Sequence, residues 1–462
     1  MSNNSSDDRY EDIEELNRIY EETPPDLAEV EQFYEELERE HNILLPDDYD
    51  DSADAIVEDV GINLVSSRRP KLVRDENWDK LLIKNEEHGN LAIIANGITA
   101  FRHGKDWEDV LWWDEFSLRT TARTITPWGR DSHVWDDDDD IKATEWLHQH
   151  NIYLHKTETA LAIETVAKEQ PYNPVQEYLL GIEWDRVPRL DTWLTTYLGV
   201  EHSNYAEAVG PKWMISGVAR IFRPGCKADC SLILEGPQGI KKSTALRALG
   251  DPWFTDQLPE VGSKDSYIQL HGVWIVELAE LDSLNRAESS KVKAFLSQQV
   301  DRIRMPYNRR SEEFPRQCIF AGSTNDDAYL KDETGARRFW PVKCGVIDID
   351  SLRQDRDQLW AEAVERFRTG EKWYLVSRYE IKLAEEQQAQ RFVNDAWEET
   401  IGAALKNRNE VSIEEVLRDC LGKPKDTWTN GDKIRVGKCL KSLGWKSCRG
   451  MIGGVRATRY QR

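Results

Sequence analysis

Apolar residues along this chain follow two spacings. Unbroken runs at Ser231-Leu232-Ile233-Leu234, Val273-Trp274-Ile275-Val276 and Cys318-Ile319-Phe320-Ala321-Gly322 predict short buried strands, because they are rich in β-branched and aromatic types and bounded by turn residues. Spacings of three and four predict helices elsewhere. The stretch 290–300 sets Val292, Phe295, Leu296 and Gln299 near one helical face. In the first forty residues, Ile13, Leu16, Ile19 and Tyr20, then Leu27, Val30, Phe33, Tyr34 and Leu37, predict two short amphipathic helices split by Pro24-Pro25. Near the other end, Val411–Leu417 starts a helix with Ser412 as cap and Glu415 three residues later. A second helix is expected over 434–444, stopped by Gly444. Its positions 436, 440 and 443 face inward, leaving Arg435, Lys438 and Lys441 outside. The runs 446–450 and 455–460, carrying Lys446 and Arg449, predict a hairpin across a Gly-containing turn. Helix, helix and hairpin together predict a winged-helix-like unit whose basic face meets DNA phosphates.

The first predicted strand runs into Gly236-Pro237-Gln238-Gly239-Ile240-Lys241-Lys242-Ser243-Thr244 and then a helical pattern. A strand, a Gly-bearing turn and a helix start make a phosphate cradle: backbone N–H groups converge on phosphates and a Lys reaches the β and γ positions. Lys242 takes that role and Ser243 that of a Mg²⁺ ligand. Lys241 departs from the pattern, standing where a Gly is expected to bring the backbone close to phosphate. Glu277, at the end of the second strand, and Glu280 are carboxylates for the Mg²⁺ shell and for polarising a lytic water. Which of the two does which stays open. Asn325, just past the third strand, is the candidate sensor of the γ phosphate. Arg337 or Arg338 is the candidate guanidinium offered to a neighbouring subunit's nucleotide.

Charge changes the picture through its distribution. The net charge is −23 over 462 residues, yet residues 1–60 hold 22 acidic and 3 basic side chains, a net of −19. Residues 401–462 hold 14 basic and 6 acidic, a net of +8, with no acid from Lys433 to Arg462. The basic end is therefore the DNA-facing one, and the acidic tail is a solubilising arm or a contact for a basic partner. Seven scattered cysteines predict a reducing compartment, and no apolar run or signal core marks a membrane or secretory protein, so a cytoplasmic location is expected. Cys226 and Cys230 have no second pair at ligand spacing. The many tryptophans between 63 and 200 are expected mostly in a core, and the acidic run Asp136 to Asp140 in a solvated loop.

Several of these segments together resemble the virulence-associated protein E family of phage, prophage and pathogenicity-island replication ATPases, related to superfamily 3 helicases. The resemblance rests on Leu234–Thr244 (LEGPQGIKKST), Trp274–Asp282 (WIVELAELD), Val292–Arg310 (VKAFLSQQVDRIRMPYNRR) and Ser323–Val342 (STNDDAYLKDETGARRFWPV), with Asn173–Leu194 upstream, and covers roughly 165–345. It implies an oligomeric, hexameric, DNA-stimulated ATPase that translocates on or unwinds DNA, with ATP and Mg²⁺ as cofactors. It also implies that Arg309 and Arg310 touch a single strand from a hairpin in the ring channel, with Arg302 and Arg304 at subunit interfaces. A primase domain, which many members carry ahead of the ATPase, is not expected here, so a separate primase is a possible partner.

The expected architecture is α/β: an acidic tail (1–62), a mainly helical collar or oligomerisation domain (63–200), a P-loop, AAA+-like ATPase core (201–372), a helical linker (373–400) and the basic winged-helix-like domain (401–462). The expected function is that of an ATP-dependent DNA helicase or translocase in replication of a mobile element. An ATP-switched DNA-binding, origin-recognition or loader protein, and a mobile-element defence ATPase, are the alternatives.

Overall fold

The Trp-rich segment folds around its own rings. Helix α1 (Ile94–His103), strands β1 (Leu111–Asp114), β2 (Arg119–Ala122) and β3 (His133–Val134), helices α2 (Asp137–Gln149) and α3 (Lys156–Ala167), and strand β4 (Pro171–Tyr172) follow in order in the computed structural model. The described residues are 77–86, 89–279, 286–305, 310–330, 336–392, 396–406, 408–452 and 455–461, so the expected tail helices lie outside them. The strands make one sheet in the order β3-β2-β1-β4, antiparallel except for β1 with β4. Trp107 is fully buried, with Phe101, Trp128 and Trp146 packed edge-on at centroid distances of 4.6, 5.9 and 5.4 Å. Edge-on contact is what the ring quadrupoles favour.

The acidic run is not a solvated loop. Asp136 caps α2, accepting from the N–H groups of Asp138 and Asp139, and Asp139 closes the capping box. Asp139 is fully buried, with an oxygen 2.6 Å from His133 Nε2 and 3.1 Å from an Arg130 guanidinium nitrogen. Consecutive acids suit this place because the first helical turn presents unpaired N–H groups and a positive dipole end.

Helices α4 (Pro174–Gly181), α5 (Trp193–Leu198) and α6 (Asn204–Phe222) lead into the central α/β layer. It contains β5 (Ser231–Glu235), α7 (Lys242–Gly250), β6 (Phe254–Thr255), α8 (Lys264–Gln269), β7 (Ile275–Leu278), α9 (Arg286–Ser297), the pair β8 (Val300–Ile303) and β9 (Glu312–Pro315), β10 (Ile319–Thr324), β11 (Phe339–Lys343), α10 (Ile349–Arg368) and α11 (Arg378–Ala389). Five strands form an all-parallel sheet in the order β11-β5-β10-β7-β6. Every residue of β5 is buried, which explains its unbroken apolar run: a parallel sheet is covered on both faces. Three buried tryptophans tie helices to this layer through their indole N–H groups. Trp213 donates to the Phe320 carbonyl, Trp274 to Gly217 and Trp360 to Leu249, at 2.8, 3.0 and 3.0 Å.

Two expectations shift here. The second strand begins at Ile275, so Glu277 stands inside it. Helix α9 ends at Ser297; Val292, Phe295 and Leu296 are buried, whereas Gln299 is exposed outside the helix, its carbonyl accepting from the Arg316 N–H on the way into the β8–β9 hairpin.

A second compact unit is built from Arg391 onward together with the short stretch from Ala328. It holds α12 (Ala396–Ala404), β12 (Glu410–Ser412), the single turn α13 (Ile413–Glu415) continuing as a π turn over Val416–Cys420, α14 (Asn430–Ser442), β13 (Lys446–Ile452) and β14 (Val455–Gln461). The strands form an antiparallel sheet in the order β12-β14-β13. The Ser412–Glu415 capping box and the β13–β14 hairpin are as expected. Helix α14 starts four residues earlier than its apolar spacing indicated, because Thr429 and Asp432 form a second capping box ahead of it.

Candidate functional site

The turn between β5 and α7 has an unusual backbone. Gly236 and Gly239 have φ of 141° and 85°, and Lys241 has φ 73° with ψ 27°, the left-handed region. The lysine therefore adopts the conformation of the glycine it replaces, at a cost of about 1–2 kcal/mol. The turn keeps its shape despite the departure in sequence. It opens onto α7, whose first amides have no intrahelical acceptor.

Lys242 is buried and its ammonium folds back onto the turn. Its Nζ donates to the carbonyls of Gly236 and Pro237 at 2.6 and 3.0 Å, and to Asn325 Oδ1 at 3.0 Å. Burial holds its pKa below the ordinary lysine range, opposed by the charge of Glu277. Beside it, Ser243 Oγ donates to Glu277 Oε1 at 2.7 Å, and Ser323 Oγ donates to the same oxygen at 2.6 Å. The other oxygen, Glu277 Oε2, is buried with no hydrogen-bond partner among the described residues. The Cys344 thiol lies in the same buried surroundings, which push its pKa up to about 12.

The sheet order brings these groups together. Strand β10 lies between β5 and β7, with Ala321 opposite both Leu232 and Glu277, so the carboxyl ends of three adjacent strands deliver the turn, Ser323 with Asn325, and Glu277. In open α/β sheets such crevices at strand carboxyl ends are where ligands bind. The arrangement can cradle an anion on the turn next to a carboxylate with a spare oxygen. Ser323 and Cys344 were not foreseen. The only signal for Ser323 was its place two residues before Asn325, where strand alternation returns a side chain to the same face.

Other predicted residues lie elsewhere. Arg337 and Arg338 precede β11, whose first residue Phe339 pairs with Ser231, while the turn follows Glu235 at the opposite end of the strand. They are thus roughly 13 Å or more from the turn along the sheet and cannot serve it within one chain. Arg338 is held by Ser297 Oγ at 2.7 Å and Asp229 at 3.3 Å; Arg337 is exposed. Arg310 is exposed on the β8–β9 hairpin; Arg309 and Glu280 lie outside the described residues. In the second unit, Lys438, Lys441 and Lys446 are exposed, and nothing is described of the Arg449 side chain. Arg435 is not freely extended: its guanidinium stacks on the Trp397 ring at 3.9 Å. No helix among the described residues is long and apolar enough to cross a membrane, and no cluster of three or more His, Cys, Asp or Glu suited to a metal occurs among them.

No curated protein sequence matches the chain. Among solved structures, the A-form apo structure of the NrS-1 C-terminal region aligns with a TM-score of 0.43 and 13% identity, covering 76% of this chain and 96% of that one. A second apo structure of the same region gives 0.43, 13%, 76% and 95%. A likeness at this level carries no argument about activity. The family comparison is specific: residues 179–393, which hold the whole parallel sheet and every residue around Lys242 and Glu277, match the virulence-associated protein E-like domain. That match to residues 179–393 supports the resemblance to the virulence-associated protein E family seen in the sequence motifs.

Proposed function

We propose that this chain is an ATP-dependent DNA helicase or translocase that serves the replication of a phage or other mobile element and works as an oligomeric, hexameric ring. The observation that carries the reading is the hydrogen-bonded set Lys242, Asn325, Ser243, Ser323 and Glu277 at the ends of three adjacent parallel strands. A magnesium-bound nucleotide suits the residues present. The turn with its positive-φ residues offers N–H groups to phosphates, and the buried Glu277 Oε2, without a partner among the described residues, is a costly arrangement unless a cation or its water shell completes it. Lys242 would hold the β and γ phosphates, Ser243 and Glu277 the metal, and Asn325 the γ phosphate. The bound Mg²⁺ would supply charge stabilisation for phosphoryl transfer.

The Lys242 ammonium now satisfied by two loop carbonyls exchanges those partners for phosphate oxygens when nucleotide binds, which strengthens its bonds because the new acceptors are charged. Arg337 or Arg338 acts on a neighbour's nucleotide, in keeping with their place at the far end of the sheet. The hairpin residues Arg309 and Arg310 and the basic face of the second unit contact DNA. The test is ATP turnover with and without single-stranded DNA, with Lys242→Ala in parallel. DNA-stimulated turnover absent in the variant supports the reading; turnover retained in the variant overturns it.

A further inference from the structure

A cleft of about 660 Å³ opens between the Trp-rich sheet and the β8–β9 hairpin, away from the phosphate turn. Trp113 and Trp135 line one wall and Phe314 the other, with Arg119 and Lys168 on the first and Arg310 on the second. The tryptophans are only half-buried, unlike Trp107 beneath them. The charges resolve unevenly. Lys168 pairs with Glu164 at 2.5 Å and stands 4.7 Å over the Trp113 ring. Asp140 accepts from the Trp135 indole at 2.9 Å, and burial holds its carboxyl above the usual range. Glu312 is engaged within the protein. Arg119 and Arg310 are left exposed, facing one cleft, with no ion-pair partner among the described residues.

Aromatic surface flanked by unpaired guanidinium groups from opposite walls is the chemistry of single-stranded nucleic acid: bases lie against rings and phosphates between cations, without reading sequence. The volume falls within the range of about 300–1,000 Å³ typical of small-ligand clefts, room for one or two nucleotides and not for a duplex. We propose that this cleft is a single-stranded DNA site shared by the Trp-rich sheet and the hairpin, with Trp113 and Trp135 as the stacking surface and Arg119 and Arg310 as the phosphate clamp. The inference rests on the proposed DNA activity for its occupant and assigns to the Trp-rich segment a share of strand binding.

The test is equilibrium binding of a fluorescein-labelled oligothymidylate to the full chain without ATP, at several salt concentrations, for wild type, Arg119→Ala and Arg119→Lys. Arg119→Ala should raise Kd about tenfold and lower the salt slope by about 0.7, with Arg119→Lys keeping the slope. ATP turnover without DNA should be unchanged in both. A strand carrying 5-iodouracil should photocrosslink to peptides holding Trp113 or Trp135. Equal Kd for wild type and Arg119→Ala, or crosslinks confined to other peptides, would overturn the proposal. So would displacement of the strand by micromolar thymidine monophosphate, which would reassign the cleft to free nucleotides. Because binding is read without ATP, loss of the cleft proposal and loss of the ATPase reading are separate results.

Discussion

Replacing Asp301 by alanine removes one half of a buried ion pair at the root of the β8–β9 hairpin. Its carboxylate takes two bonds of 2.8 Å from the Arg316 guanidinium, through Nε and a terminal nitrogen, and the two side chains are 5% and 1% exposed. Arg316 also donates to Gln298 Oε1 at 2.9 Å and to the Phe295 carbonyl, and its guanidinium lies 4.3 Å over the Phe295 ring. With charge centres about 4 Å apart and an effective dielectric near 20, the attraction is about 4 kcal/mol. Taking away Asp301 leaves a buried guanidinium with neutral partners only, so the expected loss is about 3–5 kcal/mol. That is a large fraction of a typical folding stability of about 5–15 kcal/mol. The assay is denaturant unfolding followed by tryptophan fluorescence for Asp301→Ala, Arg316→Met and the double variant. The double variant should cost less than the two singles added, because it leaves no buried charge unpaired. A loss below about 1 kcal/mol in Asp301→Ala, or strict additivity, would refute this account of the hairpin root.

Glu277→Gln keeps the shape that accepts from Ser243 and Ser323 but removes the charge, so ATP turnover should fall about 10²–10⁴-fold while filter-measured nucleotide binding persists; turnover within threefold of wild type would exclude Glu277 from the chemistry. Ser323→Ala removes one of two donors fixing that carboxylate and should lower turnover about 10-fold or more, as loss of such orienting partners does; unchanged turnover would show that Ser243 alone suffices. Lys241→Gly relieves the left-handed backbone strain but adds freedom to the unfolded chain, so thermal stability should stay level or rise by up to about 1 kcal/mol; a clear loss would mean the lysine side chain itself stabilises the turn. Asp432 is held down to about 2 by the hydrogen bond from Lys423, with the Thr429 amide and hydroxyl adding to it. A depressed carboxyl contributes stability present above its ordinary 3.8 and lost as pH falls from there through about 2. The thermal midpoint of wild type minus Asp432→Asn should therefore shrink over that window, and a difference independent of pH would contradict the cause given.

Local signals carried far where one short segment contained its own physical cause. The run Ser231–Leu234 followed by Gly236 and Gly239 led to strand, turn and helix because apolar burial and φ freedom act within a few residues. Ser412 with Glu415, and Gly444 at φ 82°, ended helices as their capping chemistry requires. The misreadings share a reason. Charge repulsion along Asp136 to Asp140 points to a solvated loop, but the first-turn amides that these acids meet decide for a helix start. Periodicity puts Gln299 on a helical face and carries no sign that Arg316 draws the chain into a hairpin there. Helical spacing leaves Arg435 outside, and Trp397, 38 positions away, gives no local sign of its nearness.

The sequence by itself determined which residues could cradle a phosphate, that strands rather than helices carry the runs around 233, 275 and 320, and that positive charge gathers after residue 400. Tertiary structure alone decided that Ser323 shares Glu277 with Ser243, that Arg337 and Arg338 stand at the far end of the sheet, and that Arg119 faces Arg310. The reason is range. Propensity, capping and burial of a run depend on neighbours within about one turn or one strand, whereas strand order and the packing of the Trp-rich sheet on the hairpin depend on contacts between residues tens to more than a hundred positions apart, which leave no periodic trace in either partner.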